Sequence, residues 1–225
     1  EAFLKSYPES KRKVTACYFQ ALAQVAVGAH KDAGTTLTAL LKDYPNSPYQ
    51  IDATLLLGQA LEGQGKLDAA AEQYGAVVKS SPARQAEGAY SLGTVLYKAG
   101  KNAEAIEALS TVVSKHPKSP YAAPARLHLG LAQLAADKPA EARKTLTEVT
   151  RSDKARAVKA RYWLARCDMA EKKFADARKT LDALVSGDPK PENMEDVLYD
   201  RAVCAMVLDK HEQAAVELAA FLKNY

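Results

Sequence analysis

Six small residues recur along this 225-residue chain at two alternating spacings. They are Ala21, Gly58, Gly93, Gly130, Ala165 and Ala202, separated by 37, 35, 37, 35 and 37 residues. Twelve residues after each stands an alanine: Ala33, Ala70, Ala105, Ala142, Ala177 and Ala214. A further four residues on comes a large side chain, from Leu37 and Tyr74 to Leu218, and three beyond that an apolar one, from Leu40 and Val77 to Phe221. Spacings of three and four fall on one helix face. A period of this length is the mark of stacked supersecondary units, none of which can bury its apolar face alone.

Each unit contains a short break, as in Gly63-Gln64-Gly65-Lys66, Ala99-Gly100-Lys101-Asn102 and Ala136-Asp137-Lys138-Pro139. Glycine after a helix and proline in the first turn of the next are stop and start signals. Prolines 8, 45, 82, 117 and 189 close most units, because proline cannot continue a helix. Every unit therefore reads as a helical hairpin. A small residue on the first helix and an alanine on the second would let the two backbones approach closely, with the larger residues filling the gap to the next hairpin. Abundant alanine with only 4 Phe and 1 Trp agrees with an all-α class.

The charge balance and the remaining residue types exclude several functions. A net charge of +4 without a dense basic stripe argues against nucleic acid. No run of about 18 apolar residues occurs, so no segment is expected to insert in a membrane. Cys17, Cys167 and Cys204 lack any CxxC spacing, which implies neither a disulfide framework nor a metal site. Cys167 and Cys204 follow the small-residue site by two positions and are expected to fill core. His30, His116 and His211 fall in breaks or linkers, where an exposed or capping role is expected, and His211-Glu212 lacks the second histidine of a zinc-protease helix. With no phosphate loop and no nucleophile elbow, no catalytic residue, cofactor or metal is assigned.

The pattern resembles the tetratricopeptide repeat family over essentially the whole length. Ala53-Thr54-Leu55-Leu56-Leu57-Gly58 with Gly65-Lys66-Leu67-Asp68-Ala69-Ala70 carries the likeness best, together with Ala89 to Gly93 and Gly100 to Ala105. The first unit departs from the family at Gln20 and Gln24, and the fourth has Lys154 where a proline would close it. The resemblance implies a right-handed α-solenoid, a superhelix of about six hairpins in a single array over 1–225. Its repeats would run over 9–45, 46–82, 83–117, 118–153, 154–189 and 190–225, after a truncated unit at 1–8 with a helix over Glu1 to Ser6. Phe3-Leu4-Lys5-Ser6-Tyr7-Pro8 echoes Phe221-Leu222-Lys223-Asn224-Tyr225, so a fragment of a longer protein is expected.

In this family the first helices line a concave groove, into which the residue three before the small site points. Here that series is Tyr18, Leu55, Tyr90, Leu127, Tyr162 and Tyr199. Residues one and four past the small site, among them Gln59, Glu62, Thr94, Tyr97, Leu131, Arg166, Met169 and Met206, would share the groove. The alternative is that the rings pack against neighbouring hairpins and show only their hydroxyls. From Arg151 to Lys179 ten Lys or Arg stand against four acidic residues, and Lys159, Tyr162, Trp163 and Arg166 fall on one helical face. That face would anchor an acidic peptide or a carboxylate, or would be an ordinary solvated surface. The family's chaperone-tail clamp is matched only at Lys159, while Tyr90, Thr94 and Trp163 depart from it.

Tyr44-Pro45-Asn46-Ser47-Pro48-Tyr49 returns 72 residues later as His116-Pro117-Lys118-Ser119-Pro120-Tyr121. This entry to a first helix resembles repeats in bacterial cell-envelope proteins of the outer-membrane assembly lipoprotein and Tol-Pal coordinator types. It implies a periplasmic or envelope scaffold, with a cytoplasmic location as the alternative. The expected function is non-catalytic binding of a partner peptide or protein in the groove. The alternatives are an accessory arm of a larger envelope enzyme or secretion component, and a self-associating module.

Overall fold

A computed structural model describes residues 12–187 and 190–225. The expected helix at Glu1 to Ser6, the proline at position 8 and the proline at 189 lie outside them. Among the described residues there are twelve α-helices and no strand. They divide into two compact units, one ending at Ala122 and the other beginning at Ala123.

Unit 1 holds three hairpins. These are α1 (Lys13–Ala26) with α2 (His30–Asp43), α3 (Gln50–Gly63) with α4 (Leu67–Ser80), and α5 (Gln85–Lys98) with α6 (Asn102–Lys115). A 3-10 turn, Pro82–Arg84, leads into α5. Unit 2 holds α7 (Ala122–Ala135) with α8 (Pro139–Ser152), α9 (Ala157–Ala170) with α10 (Phe174–Ser186), and α11 (Met194–Val207) with α12 (His211–Asn224). Consecutive helices pack together within unit 1, and α1 also touches α3.

The helices of each hairpin meet at the small residues. Ala21, Ala165 and Ala202 have no exposed surface, and neither do the six alanines twelve positions on. At the three glycines the space is already taken: a Cβ on Gly58 would lie 2.5 Å from the Tyr74 ring, on Gly93 2.5 Å from Leu109 Cγ, and on Gly130 2.6 Å from Leu146 Cγ. The large residues of the pattern therefore cover the small site of their own hairpin, in addition to the gap to the next one that the sequence had assigned them. The same residues reach the seam between hairpins, where Tyr74 and Val77 share a core with Val95 of α5, and Leu37 and Leu40 one with Leu56 and Leu57 of α3. Gly88 of α5 lies against Val77 and Val78 of α4, close enough that a Cβ would come within 3.1 Å of Val77.

His30 and His116 also sit differently from a free surface position. The His30 ring occupies the space beside Gly63, and its carbonyl accepts a hydrogen bond from Gln64 Nε2 at 2.8 Å. His116 Nε2 lies 3.0 Å from Gln85 Oε1. Both are half-buried, whereas His211 is exposed. Cys167 and Cys204 are fully buried, and burial pushes each thiol up to about 11.

Every break within a hairpin turns through one left-handed residue at the same repeat position. In order these are Gly28, Gly65, Gly100, Asp137, Lys172 and Asp209. The next residue closes the helix end by donating to the carbonyl five positions back, as Lys66 does to Leu61 and Lys173 to Asp168, both near 2.9 Å. No side chain caps the helix starts for which a cap is described.

Candidate protein-binding face

In unit 1 the first helices α1, α3 and α5 bring Tyr18, Leu55 and Tyr90 to equivalent places. Leu55 is buried with Tyr74, Val77 and Val95. Tyr18 and Tyr90 are half-buried, and each meets a tyrosine from a Pro-x-Ser-Pro-Tyr segment. Tyr18 stacks on Tyr49 at 4.6 Å between ring centroids and 17° between planes. Tyr90 lies 5.6 Å from Tyr121 at 32°. The segments are bent into place by their own turns: Ser47 N–H donates to the Tyr44 carbonyl and Ser119 N–H to that of His116. Tyr121 N–H then donates to Ser119 Oγ at 3.2 Å. The Phe19 ring, more than half exposed, stands edge-on to both Tyr18 and Tyr49.

Between the aromatic pairs lies a depression of about 340 Å3, lined among others by Tyr18, Asp52, Gln59, Glu62, Arg84 and Glu87. Arg84 forks across it, with Nη1 2.5 Å from Asp52 Oδ1 and Nε 2.6 Å from Glu87 Oε2. Glu62 accepts from the Tyr74 hydroxyl at 3.2 Å and from Lys98 Nζ at 2.6 Å. Burial, followed by the neighbouring carboxylates, pushes the hydroxyls of Tyr18, Tyr74 and Tyr121 above the usual phenol range. They remain neutral and able to donate hydrogen bonds. The face offers flat rings, hydroxyl donors and two half-exposed carboxylates fixed by one guanidinium.

Unit 2 treats its members of the series differently. Leu127 is buried, and Tyr162 is only 2% exposed, packed with Ala165, Leu181, Val197 and Cys204. The Tyr162 hydroxyl donates to Asp200 Oδ2 at 2.9 Å, and Arg166 Nη1 reaches both groups at 3.3 Å. Tyr162 is thus a core residue, and the buried Asp200 already takes up part of the Arg166 charge. Trp163 is half-buried, edge-on to Tyr162 at 5.3 Å. Lys159 is exposed, Tyr97 is half-buried, and Tyr199 is 50% exposed beside Phe221. Leu131, expected in the groove, is buried.

Two family models, each described as tetratricopeptide repeat, match the chain, one over residues 53–123 and the other over 96–160 and 134–195. Together they cover 53–195, well over half of it. The chain belongs to the tetratricopeptide repeat family. A comparison with curated protein sequences finds no match. Among solved structures, a tetratricopeptide repeat protein from Parabacteroides merdae is similar with a TM-score of 0.80 at 17% identity, covering 93% of this chain and 79% of that one. Pseudomonas aeruginosa pilF is similar at 0.70 and 21% identity, over 94% and 91%. MamA from Desulfovibrio magneticus is similar at 0.67 and 20% identity, over 78% and 97%. At these identities the likeness is one of fold.

Tetratricopeptide repeats generally mediate protein–protein interaction and are generally not catalytic. Among the described residues no group of three or more His, Cys, Asp or Glu is placed to hold a metal ion, and no helix is long and apolar enough to cross a membrane. Sequence reasoning missed Tyr49, Tyr121, Arg84, Asp52 and Glu87 as parts of the face. A signal for the two tyrosines was present: Tyr18 and Tyr90 are themselves 72 residues apart, the same interval that separates the two Pro-x-Ser-Pro-Tyr segments.

Proposed function

We propose that the chain is a non-catalytic interaction scaffold that holds a segment of a partner protein on the first-helix face of unit 1. The observation that carries this reading is the two half-exposed tyrosine pairs, Tyr18 stacked on Tyr49 and Tyr90 tilted against Tyr121, flanking the Arg84 fork. Such rings provide large contact area at small entropic cost, and ordered polar groups between them select orientation. The basic pair in unit 2 is a weaker anchor for a carboxylate, because Arg166 is already engaged by Asp200. An envelope location is part of the same proposal and rests on the likeness of the Pro-x-Ser-Pro-Tyr segments to repeats of bacterial envelope proteins.

Immobilised wild-type chain and a Tyr18→Ala/Tyr90→Ala variant, checked for equal helicity by circular dichroism, are offered the same bacterial extract. A partner retained by the first and lost from the second supports the reading. Equal retention by both moves the binding surface elsewhere. Fractionation of cells carrying the full-length protein tests the location.

A further inference from the structure

On the other side of unit 1 the second helices α4 and α6 form the walls of a cleft of about 900 Å3 floored by α5. Leu92 and Leu96 supply the floor, and Ala71, Gly75 and Ala108 keep the walls low. Gly75 stands mid-helix without a positive φ, and a Cβ built on it meets nothing within 4 Å. Neither backbone conformation nor packing within the chain calls for a glycine there, although glycine inside a helix is destabilising relative to alanine. What the glycine does provide is open space in the cleft.

The rims carry a charge opposite to that of the chain as a whole. Asp68 and Glu72 line the α4 side and Glu104 and Glu107 the α6 side, against Lys79 and Lys101. Lys101 Nζ is held 2.9 Å from Asp68, and Glu104 and Glu72 act on the same ammonium from farther off. Four carboxylates against two lysines leave the cleft net negative in a protein of net charge +4. Its walls are 14-residue helices, about 20 Å long.

We propose that this cleft docks an amphipathic helix of a partner protein, its apolar stripe on Leu92 and Leu96 and its lysines or arginines along both acidic rims. A helix fits because low walls let a third cylinder settle between two others, and apolar anchors with flanking charges are how helices are read in grooves. The site is separate from the tyrosine face, so it stands or falls independently of that reading.

The probe is a synthetic Leu/Lys amphipathic helical peptide, compared with a Leu/Glu peptide of identical apolar pattern, titrated against the full chain with backbone amide NMR. The Leu/Lys peptide should bind at least roughly tenfold more tightly, with shifts concentrated in α4 to α6 and affinity falling as salt rises. Gly75→Ala should hold affinity within about twofold, since a methyl leaves the cleft open, whereas Gly75→Phe should abolish binding. Glu72→Lys/Glu107→Lys, which changes two exposed residues, should invert the peptide preference and keeps the test decisive should Gly75→Phe unfold. Equal binding of both peptides, unchanged preference after the charge reversal, or shifts centred on Tyr18 and Tyr90 would each overturn the proposal.

Discussion

Tyr162 shows how one side chain can change its role through contacts that local spacing does not reveal. Its position on α9, with Lys159, Trp163 and Arg166, does place the four residues along one stretch of the helix. What decides whether the ring faces a ligand or the core is Asp200, 38 residues away, which is itself only 5% exposed and accepts from the hydroxyl. Tyr162→Phe should lower stability by about 1–3 kcal/mol, because a buried carboxylate loses a donor at 2.9 Å and keeps only the longer contact to Arg166. Urea unfolding of the two proteins measures it; an unchanged midpoint would mean that Arg166 alone satisfies Asp200. Tyr162→Ala would report on the fold more than on any ligand. A binding test belongs at Tyr18 and Tyr90.

Helix pairing was legible from the sequence because it depends on short-range periodicity. A small residue every 35 or 37 positions, with an alanine twelve further on, leaves one way to bring two helices together. That the large residues also cover the small site of their own hairpin was not legible, since spacing alone does not show the contact of Leu109 with Gly93. The left-handed residue of each break was legible where it is a glycine, in the first half of the chain, and not where Asp137, Lys172 and Asp209 hold the same turn, even though the break at Ala136 to Pro139 was itself read from the sequence. That difference predicts an easy gain. A left-handed conformation costs a residue with a Cβ about 1–2 kcal/mol, and Lys172 lacks the short polar side chain that eases it for aspartate. Lys172→Gly should therefore stabilise unit 2 by about 1 kcal/mol after the added entropy of unfolded glycine is subtracted. A higher urea midpoint at unchanged slope is the expected result, and a lower one would show that the lysine makes a contact worth more than the strain.

Within each unit contacts follow the order of the chain: α1 to α6 in unit 1 and α8 to α12 in unit 2 pack mainly on the helices next to them in sequence. Stability in such an array is a sum of hairpin terms and nearest-neighbour seams, so damage at one hairpin need not spread evenly. Ala105, with no exposed surface on α6, is the place to test this. Ala105→Phe forces a ring into the α5–α6 contact and should cost about 1–3 kcal/mol. Hydrogen exchange should then show lost protection concentrated in α5 and α6 and in α4 beside them, with α9 to α12 retaining theirs. Equal loss from α5 to α12 would mean that the chain unfolds as one cooperative block and that its two compact units are not separate folding units. An unchanged thermal midpoint would mean that the alanine does not bear on the helix contact, which its complete burial argues against.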